Sequence, residues 1–328
     1  MGFFSLIVAL LLEQARPLQT SNPLYAAIRA LAEYVERNFN AGERQHGVMG
    51  WCAIVLSLTL ATWLVFEALY AFQPVLAIAW NVAVLYATLG FRQFSHYYTD
   101  IQVALASGDI ELARQNLEQW KRAADPKFSA AGLSSAEICR LAIEEALVAS
   151  HRHVYGVFFW FVLLPGPAGA VLYRLSNYLT EKWNEPSNHY AEPFGHVARR
   201  AFALVDWLPV RLTAVGFAVV GNFEDAVFCW RNNARQWDDP QRGIILAAGA
   251  GALGVRLGEP VANAPVEVDA GAVSDSLQVA IAGEAPREAM SGVEASPAAL
   301  RSTVGLVWRS LVLWMILLLL LSVAGLIG

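Results

Sequence analysis

Charge is scarce in this chain. Asp, Glu, Lys and Arg make up 16% of its 328 residues, against about a quarter in soluble domains, and mean hydropathy is +0.41. The net charge of −5 supplies no basic footprint, so nucleic acid is excluded as an expected partner. Cysteine is rarer still. Cys52, Cys139 and Cys229 are widely separated and form no Cys-x-x-Cys pair, so neither a zinc site nor a disulfide framework is indicated. Internal repeats are missing. The apolar run Met1 to Leu12 lacks a basic stretch ahead of it and a small-residue cleavage site before Arg16, so it reads as a retained membrane segment rather than a signal peptide.

Apolar length is what the chain has instead. From Gly305 to Gly328 the only charge is Arg309, and Leu311 to Leu321 is continuously apolar. About 20 such residues in a helix cross the ~30 Å hydrocarbon core of a bilayer, where only helices and closed barrels satisfy their own backbone. Eleven Trp and ten Tyr suit interfacial belts. The fold expected is all-α: a polytopic helical membrane protein of five to six segments, with the lipid bilayer as its first partner and a bacterial-type inner membrane as its location. The segments are residues 1–12, 51–70, 74–89, 154–173 (interrupted by Pro165-Gly166-Pro167), 201–220 and the terminal run.

If all six cross, residues 13–50, 91–153 and 221–304 share one side and hold 17 of the 23 Lys and Arg. Arg174, Lys182, Arg199 and Arg200 fall on the other. That bias places the three large stretches in the cytoplasm. Residues 91–153 read as a helical insert. Asp109 is the expected N-cap of one of its helices, and Ser134 with Glu137 has the capping-box spacing that opens another, carrying Glu144 and Glu145. Residues 259–304, without Lys or aromatic residues, read as a disordered linker between a membrane domain (1–258) and a terminal helix (305–328).

Several motifs invite chemistry. Gly249 to Gly254 spells G-x-G-x-x-G, but no strand precedes it, and close helix packing explains it better than a dinucleotide fold. His151 and His153, two residues apart, point to different faces of a helix and have no third ligand at useful spacing. Glu144 and Glu145 form an adjacent carboxylate pair, able to hold Mg²⁺ or to sit on a solvated face. Glu67 lies close to the Phe72-Gln73-Pro74 turn. Asp206 and Arg211 are costly inside a span and need partners. Either they pair with each other across Pro209, or Arg211 takes an anionic group of a ligand.

In order along the chain stand Gly108 to Arg114, Leu163 to Arg174 (LLPGPAGAVLYR), Asn177, Phe194-Gly195, Pro209 to Ala214 and Ala250 to Gly258. The series resembles the CobD/CbiB family of membrane proteins, which includes AmpE, over roughly residues 1–258. The resemblance implies a synthase that joins an aminopropanol-type unit to adenosylcobyric acid by an amide bond, consuming ATP with Mg²⁺, in vitamin B12 assembly. The match to the synthase motifs is partial. Glu13 replaces an Asp, and Asn22-Pro23-Leu24 replaces the Gly-Asp-Pro and His-Pro-Val motifs. Lys121-Arg122-Ala123 lacks an acid, Ser150 to Gly156 keeps only a glycine, Asn177 to Thr180 loses an Asp, and Phe202-Ala203 stands near a missing Asp pair. The ligand-binding candidates that the resemblance leaves are Glu13, Arg92, Glu144, Glu145, Asn177, Asp206 and Arg211, with Glu144 and Glu145 toward metal. Beside that depletion of carboxylates, the Asp206 to Arg211 wording, the His151/His153 entrance and Phe159-Trp160-Phe161 look more like the AmpE branch, associated with signalling around β-lactamase induction and cell-wall recycling. The function expected first is therefore a regulatory or accessory protein, and the alternative is the ATP- and Mg-dependent synthase. Either reading admits a small-molecule ligand, a cobamide precursor or a cell-wall fragment, and a homo-oligomer.

Overall fold

A computed structural model describes residues 2–16, 22–39, 44–184, 192–258 and 292–327. Its named elements are all helical, and a single parallel bridge joins Val255 to Val293. In chain order the α-helices are α1 (Gly2–Ala15), α2 (Pro23–Phe39), α3 (Arg44–Phe72), α4 (Pro74–Thr88), α5 (Phe91–Ala106), α6 (Ile110–Arg122), α7 (Ser135–Ser150), α8 (Gly156–Leu163), α9 (Ala168–Trp183), α10 (Glu192–Val205), α11 (Trp207–Val220), α12 (Phe223–Asn233), α13 (Pro240–Leu253) and α14 (Pro297–Ile327). A wide π-helical turn, His151–Tyr155, joins α7 to α8.

Three helices are long and apolar enough to cross a membrane: Arg44–Phe72, Ser135–Leu163 and Pro297–Ala324. The pair Phe194–Val205 and Trp207–Val220, bent by 52°, is apolar enough only when its two helices are taken together, as a broken span or a re-entrant loop, and Gly2–Ala15 and Pro74–Thr88 are shorter apolar helices. The all-α membrane architecture is as the sequence indicates, but its boundaries differ. The fourth segment is Ser135–Leu163, not 154–173, because Pro165 and Pro167 cannot continue the helix and Gly166 turns the chain at φ +61°. The helix carrying Glu144 and Glu145 therefore belongs to a span rather than to the insert, which contracts to α5 and α6. The terminal helix opens at Pro297, with residues 292–296 tied to Val255; residues 259–291 of the expected linker lie outside the described residues.

Local chemistry explains several ends. Asp109 accepts from the Leu112 amide at 2.9 Å, and Ser134 with Glu137 closes a full capping box, each cap worth about 1 kcal/mol. Pro74 occupies the first turn of α4, where its missing N–H costs nothing. The α8–α9 hairpin is tight because Gly169 meets the Trp160 carbonyl, where a side chain would collide.

One contact overturns the expected sidedness. Lys182 Nζ lies 3.5 Å from Glu33 Oε1, so the end of α9 meets α2. Gly47 at the start of α3 likewise packs on Phe194 and Val197 of α10, whereas Phe66, late in α3, lies against Gly166. α9 thus runs back to the end from which α3 departs. Lys182, Arg199 and Arg200 join the charged stretches that the sequence reading set opposite them, and the Phe72-Gln73-Pro74 and Leu164 to Pro167 turns, at the other end, carry no Asp, Glu, Lys or Arg.

Candidate functional site

The π-helical turn is the centre of a buried polar assembly. At its end the Gly156 amide donates to the His151 carbonyl, widening the helix by one residue, a geometry that recurs at functional sites. Gly156 has no Cβ to obstruct the Tyr173 ring, which occupies that space. His151 Nε2 lies 2.8 Å from Asp206 Oδ1, and its Nδ1 lies 2.9 Å from Thr213 Oγ1. Tyr173 donates its hydroxyl to the same Asp206 oxygen at 2.9 Å. All four side chains are buried. Because a carboxylate only accepts, the proton of the His151–Asp206 bond sits on Nε2, while the Thr213 hydroxyl that faces Nδ1 donates to the Pro209 carbonyl at 3.0 Å.

Asp206 occupies the break between α10 and α11, which turns its side chain inward. It does not pair with Arg211. The Arg211 guanidinium donates to the Trp207 carbonyl at 2.6 Å and stacks 4.1 Å from the Trp207 ring, on the outer face. The two histidines, which the sequence places at the entrance of a span, both lie inside the protein. His151 is wholly interior, and His153 Nδ1 lies 2.6 Å from Arg174 Nη1 with Phe94 stacked against its ring.

From Tyr173 the assembly continues along one face of α9, where Asn177 and Glu181 follow at four-residue steps. Asn177 Nδ2 donates to Glu181 Oε1 at 3.0 Å. Arg152 joins that oxygen at 3.8 Å and Asp239 Oδ2 at 3.4 Å. Glu13, at the end of α1, accepts the Arg92 amide at 2.9 Å, and Arg92 Nη1 donates to the Gln14 carbonyl at 2.5 Å. The charge of Arg174 reaches Glu13. Within this assembly, among the described residues, two buried acceptors have no hydrogen-bond partner: Glu13 Oε2 and Asn177 Oδ1. Such atoms are rare and costly in a folded interior, and each calls for a donor.

Glu144 and Glu145 sit higher on α7, and both are engaged. Glu145 Oε1 meets Lys121 Nζ at 3.1 Å and Arg242 Nη2 at 2.9 Å. Burial works against the charge on Arg242, but the carboxylates of Glu145, Glu144 and Asp239 hold its pKa above the ordinary value. Glu144 Oε1 accepts the Gly258 amide at 2.8 Å, with Arg140 Nη1 at 3.6 Å. Among the described residues no three His, Cys, Asp or Glu side chains converge as a metal site. Held by cations in this way, the two glutamates do not fit a resident Mg²⁺. Glu67 is exposed and accepts from Trp63 Nε1 at 3.1 Å.

Gly249 to Gly254 belongs to α13 and serves close packing, as expected. Gly251 abuts the Asp225 carbonyl, and Gly254 ends the helix at φ +68°. Sequence reasoning missed Tyr173, Thr213, Arg152, Glu181 and Asp239. The available signal was Asp206 itself: a carboxylate in a span needs a partner, and His151 is the titratable residue that enters a span from another helix.

The family model described as CobD/Cbib protein matches residues 6–282. A protein named Cobalamin biosynthesis protein CobD from Stutzerimonas stutzeri is 37% identical over 262 residues, covering 78% of this chain and 82% of that protein. A protein of the same name from Chromobacterium violaceum is 36% identical over 215 residues, covering 66% of this chain and 65% of that protein's length. A third, from Leptospira interrogans, is 25% identical over 237 residues, 70% of this chain and 72% of its own. No solved structure matches.

Proposed function

This chain belongs to the CobD/CbiB family, and on that footing we propose that it acts in cobalamin biosynthesis as an amide-forming synthase of the inner membrane, multi-pass and with its charged end in the cytoplasm. The biosynthetic name borne by the relatives above supports this reading over the AmpE-like regulatory one that the sequence put first. The regulatory reading has no support among those relatives and gives way.

The observation that carries the reading is the pair of unpartnered buried acceptors, Glu13 Oε2 and Asn177 Oδ1, with Arg174 close by. A ligand bearing N–H or O–H donors and a negative group matches that set. An amino-alcohol unit supplies the donors, and a phosphate on it supplies the charge that Arg174 attracts. ATP enters this reading as a co-substrate. Mg²⁺ keeps most of its ligands from phosphates and water and needs only one or two carboxylates from a protein, so it can arrive on the nucleotide rather than reside on Glu144 and Glu145.

The test is complementation of a bacterium that lacks its own cobinamide-forming synthase and depends on B12 for growth. The wild-type chain should restore cobinamide. Glu13→Gln and Asn177→Leu should each lower the yield at least about tenfold, the effect of losing one buried hydrogen bond to a charged or polar ligand group, while the protein stays at wild-type level in the membrane. A wild-type chain that inserts normally yet yields no cobinamide would overturn the synthase reading.

A further inference from the structure

Where α3 meets α10, the charged end of the bundle carries three cations that no side chain among the described residues answers. Gly47 lets the two helices close up: a Cβ there would lie 3.2 Å from Val197 Cγ2 and 3.3 Å from Phe194 Cα. That crossing sets Arg44, the first residue of α3, beside His196 of α10, with Arg199 and Arg200 one turn further along. The charges of all three arginines act on His196. The arginines are exposed, and among the described residues none of them has an ion-pair or hydrogen-bond partner. Of the two acids of the neighbouring α2, Glu33 and Glu36, Glu33 is already shared by Arg37 at 3.8 Å and Lys182 at 3.5 Å. From Phe194 to Val205 α10 contains no acid, and His196 Nε2 is itself buried without a partner.

Directly beyond the cations the outer surface turns apolar. Leu204 is 78% exposed and Leu208 42% exposed, continuing the lipid-facing side of the broken span. A guanidinium cluster at the polar end of an exposed leucine face has two halves. The first matches phosphate oxygens, which arginine grips through paired N–H groups. The second matches hydrocarbon. A soluble anion uses only the first. The crossing also lies at the end that carries Lys182 and the Glu33 contact, the end expected to face the anionic cytoplasmic leaflet.

We propose that the outer surface at the α3–α10 crossing binds an anionic phospholipid, its headgroup phosphate on Arg44, Arg199 and Arg200 and its acyl chains along Leu204 and Leu208. Nothing in this depends on the reaction proposed above, so failure of one leaves the other standing.

The experiment is lipid retention by the full chain, extracted in mild detergent and loaded with either phosphatidylglycerol or phosphatidylcholine of the same acyl chains, read by native mass spectrometry. Phosphatidylglycerol should be retained in preference, and each arginine replaced by glutamine should reduce that preference about fivefold. Arg122→Gln, on the insert helix α6, should leave it unchanged. Raising ionic strength to half-molar should weaken the wild-type preference, and this reading needs no variant to fold. Arg199→Lys with Arg200→Lys should keep the charge and most of the preference. Equal retention of the two lipids, a preference that survives loss of all three arginines, indifference to salt, or displacement of the lipid by millimolar inorganic phosphate would each overturn the proposal.

Discussion

At the level of single residues, Asp206 shows how an intramembrane charge chooses its partner. Arg211 is five positions away and carries the opposite charge, yet its long stem carries the guanidinium out to the Trp207 ring, where one face stays near polar surroundings. The short Asp side chain cannot follow. It points into the break between α10 and α11, where His151 and Tyr173, from two other helices, supply donors at 2.8 and 2.9 Å. Their bonds are not equivalent in energy. Thr213→Val deletes the hydroxyl's contact with the ring and its bond to the Pro209 carbonyl, and side-chain hydrogen bonds inside membrane proteins average about 0.6 kcal/mol with a maximum near 1.7. His151→Ala leaves a buried carboxylate with one donor in place of two, and a hydrogen bond to a charged group is worth about 1.5–3 kcal/mol. Unfolding of the purified protein in detergent should therefore show His151→Ala losing at least twice what Thr213→Val loses. Equal losses would mean that the Asp206 charge is neutralised by protonation instead.

Helices meet at distances that glycine sets, and α13 gives three cases with three different outcomes. A Cβ at Gly251 would run into the Asp225 carbonyl, a backbone atom of α12 that can move only with its helix. At Gly249 the obstacle is the Cδ1 of Leu147, 2.5 Å away at the tip of a flexible side chain. At Gly254 nothing lies within 4 Å, but φ is +68°, a conformation that costs an L-residue roughly 1–2 kcal/mol. Overpacking against backbone costs about 1–3 kcal/mol, occasionally more. Alanine at these three sites should thus lower the melting temperature most at Gly251, less at Gly254 and least at Gly249. A flat series would show that the α12–α13 contact is not tight. The same region separates what sequence can tell from what it cannot. The caps at Asp109 and Ser134 are legible because donor and acceptor lie three residues apart, and the packing role of Gly249 to Gly254 is legible from small-residue spacing. The π-helical turn is not. Tyr173 fills the space at Gly156, and His151 faces Asp206 from 55 residues away, so no local pattern records either.

For the molecule as a whole, the decisive difference between sequence and structure is a count of crossings. Hydropathy alone joins residues 154–173 into one segment, because the PGPAG turn at its middle is as apolar as its flanks; alternation then throws everything up to residue 200 to the far side. In the structure that turn is a hairpin end. α8 descends to it and α9 returns, and the Lys182–Glu33 contact closes the circuit. The candidate site inherits this geometry: Glu13 at the end of α1, Arg92 at the start of α5 and Asn177 late in α9 gather toward one end only because α9 comes back. Arg211, fifth in sequence from Asp206, is left outside. Sidedness also sharpens the charge argument, since the opposite end, built from the Phe72-Gln73-Pro74 and Leu164 to Pro167 turns, has no Lys or Arg to hold it in the cytoplasm. Labelling of single cysteines by a membrane-impermeant maleimide tests this directly, after Cys52, Cys139 and Cys229 are replaced by alanine. Gly108→Cys in the α5–α6 turn and Arg200→Cys on α10 should react from the same face of sealed inverted vesicles, and Gln73→Cys only from the other. Six simple crossings demand instead that Arg200→Cys label together with Gln73→Cys, and that result would dismantle the return path of α9 and with it the gathering of Glu13, Arg174 and Asn177.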